Sequence, residues 1–282
     1  MDYVLMPDKL LTAGSVNAMV SFVPYVSDKP VVKGKSQLTQ HMISLVTQGE
    51  KTIYSNDESI FITSKTILLL SSGNYLMTER PNGPEKVKSI LIFFDDRFLE
   101  NIRNESLKIS RKNSEKRQFV QVSKDDYLND FIKSVQTLLD ENIFSESMQI
   151  AKLNELLVYL FLKYPEEFSK FQNSSLLKTA EQKIQTVIKH NIFNNLSVSE
   201  LAFCCHMSLP TFKRKFQQLY HQPPAKWIQQ QRLIAAADLL QKGSKPSDVY
   251  LNVGCENHSS FSQAFKVQFG VLPKDYLVIQ AP

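Results

Sequence analysis

Between about Ser21 and Phe94 the apolar positions fall in short runs, each closed by turn residues. The runs Met42–Val46, Ile53–Tyr54, Ile60–Ile62, Ile67–Leu70, Tyr75–Met77 and Ile90–Phe94 are separated by Gly49, S-N-D-E at 55–58, S-S-G-N at 71–74 and P-N-G-P at 81–84. Strand-length runs punctuated in this way predict a β-sandwich or barrel. I-L-I-F-F at 90–94 lacks any polar alternation, which predicts a strand buried on both faces.

After Phe94 the period changes. Ser123 with Asp126 three residues on predicts a helix N-cap, and Tyr127, Phe131, Val135, Leu138 and Leu139 recur at helical spacing. A second helix is predicted from about Glu146 to Tyr164, halted by Pro165. Within it Ile150, Leu153, Leu157 and Leu160 repeat at 3-4-3, a short coiled-coil-like seam that suits a dimer contact or packing on the β domain. The polar, basic stretch 103–118 reads as a mobile loop, and Q-N-S-S at 172–175 as a linker. From Leu176 to Pro282 the period stays helical, broken at Asn194–Asn195, His206, Pro223–Pro224, Gly243 and Gly254, which predicts about seven short helices.

Two segments of this last region use one device twice. Ser197 opens S-V-S-E, a capping box with Glu200; a short helix, a turn at His206-Met207 and a second helix capped by Ser208 follow. Phe212 and Phe216 form the buried i, i+4 pair of that second helix, leaving Lys213, Arg214 and Lys215 toward solvent. The other copy starts at Pro246, turns at Gly254 and enters a helix at Asn257 or His258 with Phe261, Phe265 and Phe269 on one face. This is helix-turn-helix grammar, in which a supporting helix presents another to a DNA major groove. The helix between the copies, from about Ala225 to Leu240, is ~22 Å long at 1.5 Å per residue. With its flanking helices it can hold two reading heads about one DNA turn apart, ~34 Å. Trp227 reads as core of this connecting helix.

Charge sharpens that picture. Of the 282 residues, 1–175 carry 21 Lys and Arg against 22 Asp and Glu, whereas 176–282 carry 12 against 6. The whole excess of the +5 net charge therefore sits in the helical region and points to an anionic partner there. The N-terminus lacks the pattern of a signal peptide, and no apolar run approaches the ~20 residues of a membrane span; a cytoplasmic protein is expected. Cys204, Cys205 and Cys255 have neither disulfide nor zinc spacing, and His41 is the one histidine of the β region, so no metal or cofactor is expected. G-x-S-x-G, G-x-x-x-x-G-K-[ST] and H-E-x-x-H are absent, which lowers an enzyme.

On L-S-V-S-E-L-A (196–202), M-S-L-P-T-F-K-R-K-F (207–216), R-L-I-A-A-A-D-L-L (232–240), V-G-C (253–255) and S-F-S-Q-A-F-K-V-Q-F-G-V-L-P-K-D-Y (260–276), residues 176–282 resemble the AraC/XylS-type DNA-binding domain. The resemblance implies base contacts from Pro210, Lys213 and Arg214 in the first recognition helix and from His258, Ser259 and Gln263 in the second. Lys266 falls where a phosphate contact is implied. Two usual glycines are His206 and His221 here, positions at which the resemblance implies positive φ, and Gln263 stands where some members carry Arg. More loosely, L-V-T-Q-G-E-K-T-I-Y (45–54), L-L-L-S-S-G-N-Y-L-M (68–77) and I-L-I-F-F-D-D-R-F-L (90–99) resemble ExsA-type regulators, which implies a cupin-like β-sandwich followed by dimerising helices.

The expected fold class is thus α+β. A cupin-like sensory domain spans 1–122 and a dimerisation segment 123–172, with Ile150, Leu153, Leu157 and Leu160 as contacts. An all-α DNA-binding domain spans 176–282, with helix-turn-helix motifs at 197–220 and 246–269. The expected function is a homodimeric, sequence-specific transcription regulator, an activator by resemblance, with double-stranded DNA and RNA polymerase as partners. A small-molecule effector or a regulatory protein would govern it. The alternative is a cupin-like small-molecule-binding protein with a helical appendage.

Overall fold

The computed structural model describes residues 3–11, 19–55, 59–81, 86–99, 117–171 and 179–276. The chain divides into two compact units, the break falling between Leu177 and Lys178. The linker expected at 172–175 lies outside the described residues, as does 103–116 of the expected mobile loop.

Among the described residues the first unit holds ten strands: β1 Val4–Met6, β2 Val20–Ser27, β3 Val31–Leu38, β4 His41–Gln48, β5 Glu50–Tyr54, β6 Ser59–Ile62, β7 Thr66–Leu70, β8 Gly73–Arg80, β9 Val87–Phe94 and β10 Phe119–Ser123. They form two five-stranded sheets, ordered β1-β3-β8-β5-β6 and β10-β7-β4-β9-β2. Strands β1 and β10 lie outside the predicted β region. β1 pairs parallel with β3, and β10 antiparallel with β7.

The second sheet is buried on both faces, and its register shows why 90–94 reads as unbroken apolar sequence. Side chains alternate across a strand. Ile43, Leu69, Ile92 and Val120 are cross-strand neighbours on one face, while Met42, Leu70, Phe93 and Phe119 are neighbours on the other. The latter face packs with Leu38, Ile53, Ile60, Ile62, Tyr75 and Met77 of the opposite sheet, so the space between the sheets is occupied by side chains of both. At one end of that space the cross-strand pair Lys51 and Glu79 is almost wholly buried, 3.0 Å apart, and the Tyr25 hydroxyl donates to Glu79 at 2.8 Å. Burial lowers the Lys51 pKa against the pull of Glu79. Such a pair rewards one register, since a slip strands a buried charge.

The outer face of the second sheet is covered by helices α1 Asp126–Asp140, α2 Glu146–Lys163 and α3 Pro165–Lys170. Here the structure corrects three expectations. The cap of α1 is Asp125, whose carboxylate accepts the Leu128 N–H at 2.9 Å, rather than Ser123, which ends β10. The buried face of α1 is Leu128, Phe131, Ile132 and Val135; Tyr127 turns outward to stack on Tyr159 with centroids 3.9 Å apart. Most consequential, Leu153, Leu157 and Leu160, with Ile150 beside them, pack into the same core as Ile43, Leu69 and Ile92. The 3-4-3 seam packs inside the protomer on the outer face of the second sheet, with Leu153, Leu157 and Leu160 buried there and Ile150 half-buried.

His41, the sole β-region histidine, is fully engaged. Its Nδ1 accepts the Ser72 N–H at 3.3 Å, which leaves Nε2 to donate to Asp96 at 2.7 Å. Among the described residues no helix is long and apolar enough to cross a membrane.

The second unit contains α4 Ala180–Asn191, α5 Val198–Cys204, α6 Leu209–Tyr220, α7 Pro224–Gln241, α8 Pro246–Asn252, α9 His258–Phe269 and a 3-10 turn, Pro273–Asp275. The connecting helix α7 is 18 residues long, somewhat more than predicted, because Pro224 suits a first helical position and Gln241 extends its end.

Candidate nucleic-acid interface

Each reading head is built by local chemistry. Ser197 and Glu200 complete the capping box of α5: the Ser197 hydroxyl accepts the Glu200 N–H at 3.3 Å and the Glu200 carboxylate accepts the Ser197 N–H at 2.7 Å. His206 turns the chain at φ 58°, and the Ser208 hydroxyl then accepts the Thr211 N–H to cap α6. Phe212 and Phe216 are fully buried. At about 100° per residue, Pro210, Arg214 and Gln217 lie on the opposite side of α6 and Lys213 on the flank beside them. All four are exposed. Lys215 points away from that stripe, 3.6 Å from Glu181. His221 ends the helix at φ 55°, its N–H donating to Gln217 O at 2.9 Å. Both histidines thus hold the left-handed conformation usually left to glycine.

The second head repeats the first at a constant offset. The caps Ser208 and Asn257, the buried pairs Phe212/Phe216 and Phe261/Phe265, and the left-handed ends His221 and Gly270 are each 49 residues apart. Asn257 accepts the Ser260 N–H at 3.0 Å and so fixes where α9 begins. Opposite its buried phenylalanines α9 exposes Ser259, Gln263 and Lys266. His258 is exposed but lies to the side of that stripe, with its ring edge-on to Tyr250 at 5.3 Å. By the repeat, Gln263 matches Arg214 and Lys266 matches Gln217, so the first head carries the denser positive charge.

Helix α7 joins the heads with one end in each core. Trp227 packs on Tyr220 and Phe216, with centroids 4.3 and 5.7 Å away, and Leu233, Ala236, Ala237 and Leu240 pack with Val249, Phe261 and Phe265. Arg232 is absent from the sequence-level candidates. It sits four residues after buried Ile228 and four before buried Ala236, on the inner face, where an arginine needs partners. That placement was the available signal. Its Nε donates to Ile192 O at 2.7 Å and its Nη1 to Gly254 O at 2.8 Å. The adjacent thiols carry no such role: Cys204 is buried in the first head, and burial pushes its pKa up to about 12.

Residues 41–171 match the ExsA N-terminal regulatory domain family, and residues 201–278 match a helix-turn-helix domain family. The chain is 23% identical over 240 residues to the thermoregulatory protein LcrF of Yersinia pestis, covering 83% of this chain and 88% of that one. It is 22% identical, with the same coverage, to the virulence regulon transcriptional activator VirF of Yersinia enterocolitica. A crystal structure of ToxT from Vibrio cholerae with bound unsaturated fatty acid aligns over 93% of this chain and 95% of that one at 16% identity, with a TM-score of 0.39. Two capped helix-turn-helix units in a basic domain, behind an ExsA-type regulatory domain, place this chain in the AraC family of DNA-binding transcription regulators.

Proposed function

We propose that the chain activates transcription by laying α6 and α9 into two successive major grooves of one DNA site. The observation that carries this reading is the 49-residue repeat, which gives both helices a side-chain cap at the same place, the same buried phenylalanine pair and an exposed polar stripe away from it. Lys213 and Arg214 read bases and set most of the affinity, Pro210 lets the start of α6 approach the groove, and Ser259 and Gln263 read the second groove. His258 borders it, and Lys266 meets a phosphate. Activation is supported by the resemblance and by the name of the VirF relative, with RNA polymerase as the partner of the bound regulator.

The cupin-like first unit is the regulatory module, answering a protein partner or an effector. Two copies meet through the outward side of α2, where Met148, Val158 and Leu162 are exposed, in place of the buried seam. Hydroxyl-radical footprinting of the full chain on DNA it selects tests the docking: two protected windows per chain, ~10 base pairs apart on one face of the duplex, are expected. A single window per chain would contradict it.

A further inference from the structure

Arg232 fastens together two turns that lead into different reading heads. Ile192, whose carbonyl takes the Nε hydrogen bond, ends α4 and lies five residues before the Ser197 cap of α5. Gly254, whose carbonyl takes the Nη1 hydrogen bond, lies three residues before the Asn257 cap of α9. Two further contacts join the same turns. Asn195 Nδ2 donates to Glu256 Oε1 at 2.7 Å. Gly254, at φ 75°, lies so close to Phe193 that a Cβ there would stand 2.5 Å from the Phe193 carbonyl oxygen. In the groove around these residues, about 510 Å³, Arg232 is turned onto two carbonyls, Asn195 onto Glu256 and Asn257 onto the Ser260 N–H. The groove reads as a joint and not as a ligand site.

We infer that Arg232 is a positioning residue that fixes the separation and rotation of α6 and α9, and so the spacing of the two DNA boxes the chain accepts. A planar guanidinium can serve two diverging carbonyls at once, whereas a lysine ammonium on the same helix is a point donor on a flexible stem. One base pair inserted between two boxes moves the second by ~3.4 Å and turns it by ~34°. A fastened pair of heads rejects that change, and an unfastened pair tolerates it.

The inference rests on the two-groove reading, and its test separates the two. Full-length wild type selects duplexes from a randomised pool. Affinities of wild type, Arg232→Lys and Glu256→Ala are then measured on the selected duplex, on the same duplex with one base pair inserted between the boxes, and on a duplex keeping only the first box. We expect Arg232→Lys to lose about tenfold on the native spacing, to hold the one-box duplex within about twofold, and to discriminate less between the two spacings. Glu256→Ala, which removes the acceptor of the exposed Asn195 contact, shifts the same ratio more weakly and covers the case in which Arg232→Lys does not fold. Spacing discrimination equal to wild type in both variants overturns the inference and leaves the two-groove reading standing. Equal losses on all three duplexes also overturn it, since that is what general loosening gives. If wild type selects no recurrent sequence, the two-groove reading fails and the inference falls with it.

Discussion

His206 and His221 show what a single position demands. Both stand where the related family has glycine, and both adopt positive φ, 58° and 55°. A non-glycine residue there costs on the order of 1 kcal/mol, so the turn geometry is imposed by the helices on either side. His206 has a second consequence. Burial, with Lys183 nearby, lowers its pKa from 6.5 to about 4. On acidification the unfolded chain therefore takes up this proton first. The stability held by neutral His206 is complete above about pH 6.5 and drains away as the pH falls toward 4. Thermal melting of the full chain between pH 7 and 4.5 should show the second unit losing stability more steeply in wild type than in His206→Asn, a residue that also tolerates the left-handed turn. Parallel slopes would contradict the partial burial of this ring.

Elements were read from the sequence with uneven success, for physical reasons. The reading heads were legible nearly to the residue, because capping boxes, a first-turn proline and i, i+4 phenylalanines are local signals that local structure obeys. Helix α2 was legible as a helix but not in its role. A 3-4-3 apolar repeat looks the same whether it meets another copy or a sheet, and only the apolar outer face of the second sheet, assembled from strands as far as 127 residues away, decides the matter. Arg232 was missed for a related reason, since its partners are carbonyls of remote turns. The burial of α2 has a direct test. Leu157→Ala should destabilise the first unit by about 2–5 kcal/mol, as a core truncation does, read as a lowered denaturation midpoint. Val158→Ser and Leu162→Ser, on the exposed side, should leave that midpoint almost unchanged and weaken self-association in sedimentation. A loss of self-association from Leu157→Ala without loss of stability would restore the seam to an interface role.

At the scale of the whole molecule, the charge division along the sequence coincides with the division of the fold. The near-neutral part is the two-sheet unit with its covering helices, and the basic part is the unit that carries both reading heads. Strand β1 and strand β10, outside the predicted β region, were not legible, because three- and five-residue strands at sheet edges carry little periodicity of their own. The central claim is that specificity for DNA resides in the exposed stripes of α6 and α9, with Lys213 and Arg214 at its centre. The measurement that tests it most directly is the affinity of the full chain, at about 150 mM salt, for the duplex it selects and for a scrambled duplex of equal composition. Wild type and the double variant Lys213→Ala, Arg214→Ala are compared. The account predicts that each lost base contact costs ~1–3 kcal/mol on the selected duplex and much less on the scrambled one, so that specificity collapses before general DNA affinity does. Unchanged affinity of the double variant for the selected duplex would contradict it.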